Sequence, residues 1–193
     1  MKESFFKNKK VIVTGHTGFK GAWLTNYLHL LGANVMGISL KPSTKPSLFK
    51  ILKLDTKIKS NFINILEKNK IEKKILRFKP DAIFHLAAQA IIKKSYEVPL
   101  ETWNSNLFGT INLLNSIKKQ KKKCICVIIT SDKCYKNLEK IKGYKESDML
   151  GGVDPYSASK AATEIAFQSY FQSFLKNTNH RFVTARAGNV IGG

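Results

Sequence analysis

The 193 residues carry 33 Lys and Arg against 13 Asp and Glu, a formal net charge of +20, with 43% hydrophobic content. That apolar share suffices for one buried core and excludes disordered, fibrous and low-complexity classes. The charge is almost wholly lysine, the arginines being Arg77, Arg181 and Arg186, and its scatter along the chain argues against a dedicated polyanion groove.

The dense cluster KKQKKK at 118–123 falls at a predicted helix end, where cations suit the negative pole of the helix dipole, so nucleic acid is not the expected partner. MKESFFKNKK at the N-terminus lacks an apolar segment of signal-peptide length, and no run reaches the roughly 18 apolar residues of a membrane span. A cytoplasmic location with no membrane partner is expected. Cys124, Cys126 and Cys134 are odd in number, and no Cys or His cluster has metal spacing, so buried reduced thiols and no metal site are expected.

In chain order, compact apolar runs at Val11–Val13, Val35–Leu40, Ala82–Leu86, Ile125–Ile129 and Phe182–Ala185 predict strands covered on both faces, with a further strand ending near NFIN at 61–64. Segments of helical period alternate with them. The first places Phe19, Trp23, Tyr27, Leu30 and Leu31 on one apolar face, the second Leu107, Ile111, Leu114 and Ile117, and the third Ala158, Ala162, Ile165, Ala166 and Tyr170. Residues 41–60, with Pro42 and Pro46, read as loop with at most a short helix. This alternation predicts an α/β fold, a Rossmann-type doubly wound parallel sheet with helices on both faces, as a single domain over 1–193. The final RFVTARAGNVIGG stops just after a predicted strand, and the chain is expected to finish mid-protein.

VIVTGHTGFKGAWL sets Gly15, Gly18 and Gly21 at three-residue spacing between a strand and an amphipathic helix. Glycine permits the tight turn and close backbone approach, and the helix start favours a pyrophosphate, so this context reads as dinucleotide binding. The acidic residue expected about 20 residues further on for the adenosine ribose is absent. Lys41 and Lys45 lie nearby instead, and NAD is not separated from NADP. Asn64 offers a side-chain amide to the adenine or is an ordinary loop residue.

Ligands of open parallel sheets sit beyond the carboxyl ends of the strands. There IFHLAAQ ends in Ala87, Ala88 and Gln89, with a polar tip on the last, and VIITSDK ends in Ser131, Asp132 and Lys133. Asp154 and Pro155 have N-cap and first-turn chemistry, so Tyr156 and Lys160 fall one turn apart on one face. A phenol titrates at about 10, and an ammonium about 4 Å away at an effective dielectric near 20 supplies the roughly 4 kcal/mol that brings it to about 7. The pair is expected to accept a proton.

The blocks GHTGFKG, HLAAQ, TSDKCY, GYKESDMLGGVDPYSASK and ARAGNVIGG resemble, in order, those of the extended short-chain dehydrogenase/reductase superfamily, and within it the CDP-glucose 4,6-dehydratase group. Relatives acting on dTDP- or UDP-glucose have an Asp and Glu pair where this chain has Asp132 and Lys133. The resemblance implies that Gly15, Thr17, Gly18, Phe19, Gly21, Asn64, Ile65, Leu86, Ala87, Ala88, Gln89, Asn106, Tyr156 and Lys160 bind NAD, and that Gln89, Ser131, Arg186 and Asn189 bind the nucleotide sugar. It further implies that Tyr156, aided by Ser131 and Lys160, takes the C4 hydroxyl proton, Lys133 takes the C5 hydrogen, and Asp132 protonates the departing C6 hydroxyl. The family continues with a substrate-binding portion and forms homodimers through the helices near 100–118 and 156. The C-terminal substrate portion is therefore expected to be largely absent, and this chain to bind NAD weakly and turn over CDP-glucose poorly. Another dehydratase, an epimerase of the same fold, or a noncatalytic dinucleotide-binding remnant are the alternatives.

Overall fold

Runs of β-branched and aliphatic residues such as KVIVT and ICVIITS pair side by side in the computed structural model, which describes residues 5–192. Among the described residues, β1 (Lys10–Thr14), β2 (Asn34–Ser39), β3 (Lys59–Phe62), β4 (Ala82–His85), β5 (Ile125–Ser131) and β6 (Arg181–Ala187) form one all-parallel sheet, ordered β3-β2-β1-β4-β5-β6. Strand order reverses between β1 and β4, which opens a crevice at their carboxyl ends. Residues 1–4 and Gly193, the ends of the predicted domain, lie outside the described residues.

The helices are α1 (Phe19–Leu30), α2 (Leu48–Ile51), α3 (Leu54–Lys57), α4 (Lys68–Phe78), α5 (Ile92–Glu97), α6 (Pro99–Trp103), α7 (Gly109–Lys118) and α8 (Pro155–Tyr170). A π-helical turn at Asn104–Phe108 joins α6 to α7. On one sheet face Ile12, Ile83, Cys126 and Ile128 pack with Ile71, Ile75, Leu113, Leu114 and Ile117 of α4 and α7. On the other, Val11, Val13 and Val35 meet Leu28 of α1. The row Val13, Phe84, Val127, Val183 crosses this second face, and cover thins along it, from complete burial of Val13 to 48% exposure of Val183.

Three expectations need correction. The apolar stripe of α1 faces outward, with Leu30 71% exposed, whereas Gly21, Ala22, Thr25 and Leu28 are buried. Small side chains face in because α1 runs against the glycine turn: a Cβ on Gly21 would stand 2.0 Å from the Gly15 carbonyl oxygen. In α8 the expected stripe is only partly right: Tyr170 packs against the core beside Phe167 and the alanines are half-buried, but Ile165 is exposed, and Ser157, Ser159, Lys160, Thr163 and Glu164 are buried because part of this helix meets its neighbours through hydrogen bonds. Finally, 41–60 holds two short helices, and β3 ends two residues before Asn64.

The three cysteines are free and buried, and burial pushes the Cys124 thiol up to about 12 and the Cys134 thiol to about 11. No helix among the described residues is long and apolar enough to cross a membrane.

Candidate active site

A cleft of about 650 Å³ runs along the carboxyl ends of the strands. Its floor begins at Gly15, whose backbone φ of +75° suits glycine and whose Cα faces the Leu86–Ala87 peptide so closely that a Cβ would lie 2.8 Å from the Ala87 nitrogen. Thr17, Gly18, Phe19 and Gly21 line the same end. The Thr17 hydroxyl lies 2.8 Å from Ser39 Oγ and donates to the Leu40 carbonyl at 3.0 Å, tying the loop to the end of β2.

Beneath the floor a buried polar chain fixes β1 against β4. Thr14 Oγ1 accepts from the Leu86 and Ala87 N–H groups at 3.1 Å each, so its own proton goes to His85 Nδ1 at 2.7 Å. Thr110 in turn donates to the Asn106 carbonyl at 2.7 Å, and it accepts from His85 Nε2 at 3.0 Å. This network assigns the imidazole as the neutral Nε2–H tautomer. Burial, with Lys160 nearby, holds His85 down to about 3.

The other end of the cleft gathers Ser131, Asp132, Lys133 and Tyr156, together with Asn189 from the segment after β6. β5 delivers the first three, because its last residue, Ser131, accepts from the Lys133 N–H at 3.2 Å and starts the 3-10 turn Asp132–Cys134. Ser131 Oγ also donates to Asp132 Oδ1 at 3.1 Å. Tyr156 opens α8, whose start is set by Pro155 and a capping box in which Asp154 Oδ1 accepts from the Ser157 N–H at 3.0 Å. Burial raises the Tyr156 phenol above its ordinary value, against a lowering hydrogen bond with Ser131 and with a further rise from Asp132.

Lys160 does not line this cleft. Its Nζ is buried and donates to the Ile129 carbonyl at 3.2 Å, and burial followed by repulsion from Lys20 lowers it to about 8. The phenol is thus not brought toward neutrality by an adjacent ammonium, as residue spacing alone had implied.

Asn106 is also behind the wall. Its Oδ1 accepts from the Gln89 N–H at 2.8 Å, while Nδ2 donates to the Gln89 carbonyl at 3.1 Å and to Ser159 Oγ at 2.8 Å. Gln89 lines the cleft, but its amide is turned inward, donating to Ile91 O and Thr102 Oγ1 and accepting from Ile91 N–H. Asn64 lines the cleft with its Oδ1 accepting from Leu66 N–H at 3.0 Å, and Ile65 and Ala88 stand beside it on that wall. Arg186 points elsewhere. Its guanidinium faces a second cavity, paired with Glu164 at 3.1 Å and lying over the Tyr135 ring at 4.9 Å.

Lys20, Ser39 and Ser43 line the cleft without having been singled out from the sequence, and Lys41, noted there beside the expected ribose position, lines it too. Lys20 was visible inside the glycine motif, but a charged residue in a helix start ordinarily reads as surface.

The family model described as GDP-mannose 4,6 dehydratase matches residues 12–184. A CDP-glucose 4,6-dehydratase of Salmonella typhimurium is 43% identical over 99% of this chain and 55% of its own length. A CDP-paratose 2-epimerase of Salmonella typhi is 27% identical, over 95% of this chain and 58% of its own. Among solved structures, the UDP-glucose 4-epimerase of Thermus thermophilus in complex with NAD superposes with a TM-score of 0.78 at 26% identity, over 92% of this chain and 54% of that one. The chain therefore spans little more than half the length of these relatives. With this match and its six-stranded parallel sheet, the chain belongs to the GDP-mannose 4,6 dehydratase family of extended short-chain dehydrogenases/reductases.

Proposed function

We propose that the chain is the dinucleotide-binding part of an NAD-dependent nucleotide-sugar 4,6-dehydratase that acts on CDP-glucose, in the cytoplasm. The observation that carries this reading is the convergence of Ser131, Asp132, Lys133 and Tyr156 on the cleft that the glycine turn opens. The 43% relative's name supports the substrate. The turn fits a pyrophosphate: lacking a Cβ, Gly15 packs against the Leu86–Ala87 peptide and Gly21 against the Gly15 carbonyl, and this tight turn sets the start of α1, a helix N-terminus suited to an anion, at the cleft.

Bound NAD would take up and return the hydride. Tyr156, which lines the cleft with Ser131, would receive the C4 hydroxyl proton. Because burial disfavours its phenolate, Lys160 would have to leave the Ile129 carbonyl and face the phenol for that step. Exposed Asp132 and Lys133 supply the acid and the base that loss of water across C5 and C6 requires. A 4-epimerase has no use for that pair, which favours elimination over epimerisation. Self-association through α6, α7 and α8 belongs to the same reading, supported by the exposed Leu100, Phe108 and Ile165.

The test joins this chain to the remaining length of the Salmonella typhimurium relative and supplies CDP-glucose deuterated at C4. The expected outcome is a 4-keto-6-deoxy product with deuterium at C6, lost in Tyr156→Phe and Lys133→Met. A product altered only in configuration at C4, or full turnover in Lys133→Met, overturns the assignment. The 193-residue chain alone is expected to bind NAD weakly, by calorimetry, and to give little product.

A further inference from the structure

The stretch that follows β2 carries a lysine where a dinucleotide cleft ordinarily has a carboxylate. Thr17 of the glycine turn holds this stretch through Ser39 Oγ at 2.8 Å and the Leu40 carbonyl at 3.0 Å, and from β3 the Ile63 N–H donates to the Ser39 carbonyl at 2.9 Å. Ser39, Lys41 and Ser43 line the cleft there, with Ile63 and Asn64 from the neighbouring strand end. Among the described residues the carboxylates that line the cleft are Glu101 and Asp132, and neither belongs to the ends of β2 or β3. Glu101 sits on α6, 3.8 Å from the Lys94 ammonium, and Asp132 accepts from Ser131 after β5. Asp55, the acidic residue within 32–66, pairs with Lys50. Lys41 is exposed, and its ammonium has no hydrogen bond or ion pair among the described residues.

We propose that this end of the cleft accepts a 2′-phosphate, so that NADP binds at least as tightly as NAD, with Lys41 as the specificity-determining residue. The inference rests on reading the cleft as a dinucleotide site and adds which dinucleotides it admits. An acidic residue after the second strand accepts from the ribose 2′-hydroxyl and, by like charge, repels a phosphate on that oxygen. Here neither effect operates. A free ammonium gains a charge-assisted partner in a 2′-phosphate and nothing comparable in a hydroxyl. Because Thr17 gives its proton to the Leu40 carbonyl, Ser39 gives its own to Thr17, and the Ser43 hydroxyl is left to donate to phosphate oxygens. The proposed chemistry returns the hydride that it takes, so it runs on either dinucleotide.

The experiment is calorimetric titration of the 193-residue chain, and of its Lys41→Met and Lys41→Arg variants, with NAD and with NADP. In the parent, NADP should bind at least as tightly as NAD, and added salt should weaken NADP more. Lys41→Met should weaken NADP about tenfold and leave NAD within about twofold, while Lys41→Arg retains NADP. Weaker binding of NADP than of NAD by the parent, equal losses of the two in Lys41→Met, or the same loss of NADP in Lys41→Arg as in Lys41→Met each overturns the proposal. Binding of neither dinucleotide overturns the dinucleotide reading and this inference with it, whereas NAD binding without NADP overturns this inference alone.

Discussion

Arg186 and Glu164 form an ion pair 3.1 Å long whose side chains are only 12% and 2% exposed. Glu164 is also held by the Thr130 and Thr184 hydroxyls, and Arg186 donates to the Glu146 carbonyl at 3.0 Å. One pair therefore ties α8, β5, β6 and the segment 135–150 together. The residue that resemblance assigned to substrate is, in this structure, a strut.

Removing one member of a buried pair strands the other charge, which costs about 3–5 kcal/mol. Arg186→Met is expected to lose that much stability in urea unfolding. A loss below about 1 kcal/mol would place the pair among the weak surface bridges and contradict its burial.

Asn106 offers a sharper contrast, because the isosteric Asp removes only donors. Ser159 Oγ gives its proton to the Tyr156 carbonyl at 2.7 Å, so it can only accept from Asn106. In Asn106→Asp the carboxylate would face two acceptors, Ser159 Oγ and the Gln89 carbonyl, at a cost of about 3 kcal/mol. Denaturant midpoints of Asn106→Asp and the parent at pH 7 measure it, and equal midpoints would refute the network.

The glycines of the turn should differ in their tolerance. A Cβ on Gly18 would stand 3.4 Å from the Gly15 carbonyl, an ordinary contact, against 2.0 Å for Gly21. Gly18→Ala is expected within about 1 kcal/mol of the parent, and Gly21→Ala to lose about 2–3 kcal/mol together with NAD binding. Thermal unfolding and calorimetric titration test both, and the reverse ranking would mean that α1 does not press on the turn.

Acid should weaken the fold before the carboxylates titrate. Burial holds His16 down to about 4 and His85 to about 3, below the ordinary 6.5. Their unfolded forms bind protons first, so stability is complete above pH 6.5 and falls as pH drops from there toward the folded values, by on the order of 1.4 kcal/mol per unit for each histidine. Urea midpoints between pH 7 and 5 should decline, and His85→Gln should flatten part of that slope. A flat parent profile would show that these rings are not held neutral.

Much of this protein is legible from local chemistry. Apolar runs locate every strand but β3, three glycines at three-residue spacing locate the turn, and Asp154 with Pro155 locates the start of α8, because each depends on backbone preferences of residues adjacent in the chain. Residues at strand ends reach the cleft for the same reason: a parallel sheet delivers all its carboxyl ends to one edge.

Which side of a helix turns inward was decided by tertiary structure. Hydrophobic period marked the wrong face of α1, because close approach to the glycine turn selects small residues, and in α8 it found Tyr170 but missed the buried polar side, where hydroxyls, an amine and a carboxylate make the contacts. The partners of Arg186, Lys160, Asn106 and Gln89 lie in most cases tens of residues away in the chain, and a polar side chain takes the geometry that satisfies it once buried. Residue type sets what such a group can bond, but only the packed fold brings the partner within 3 Å or so.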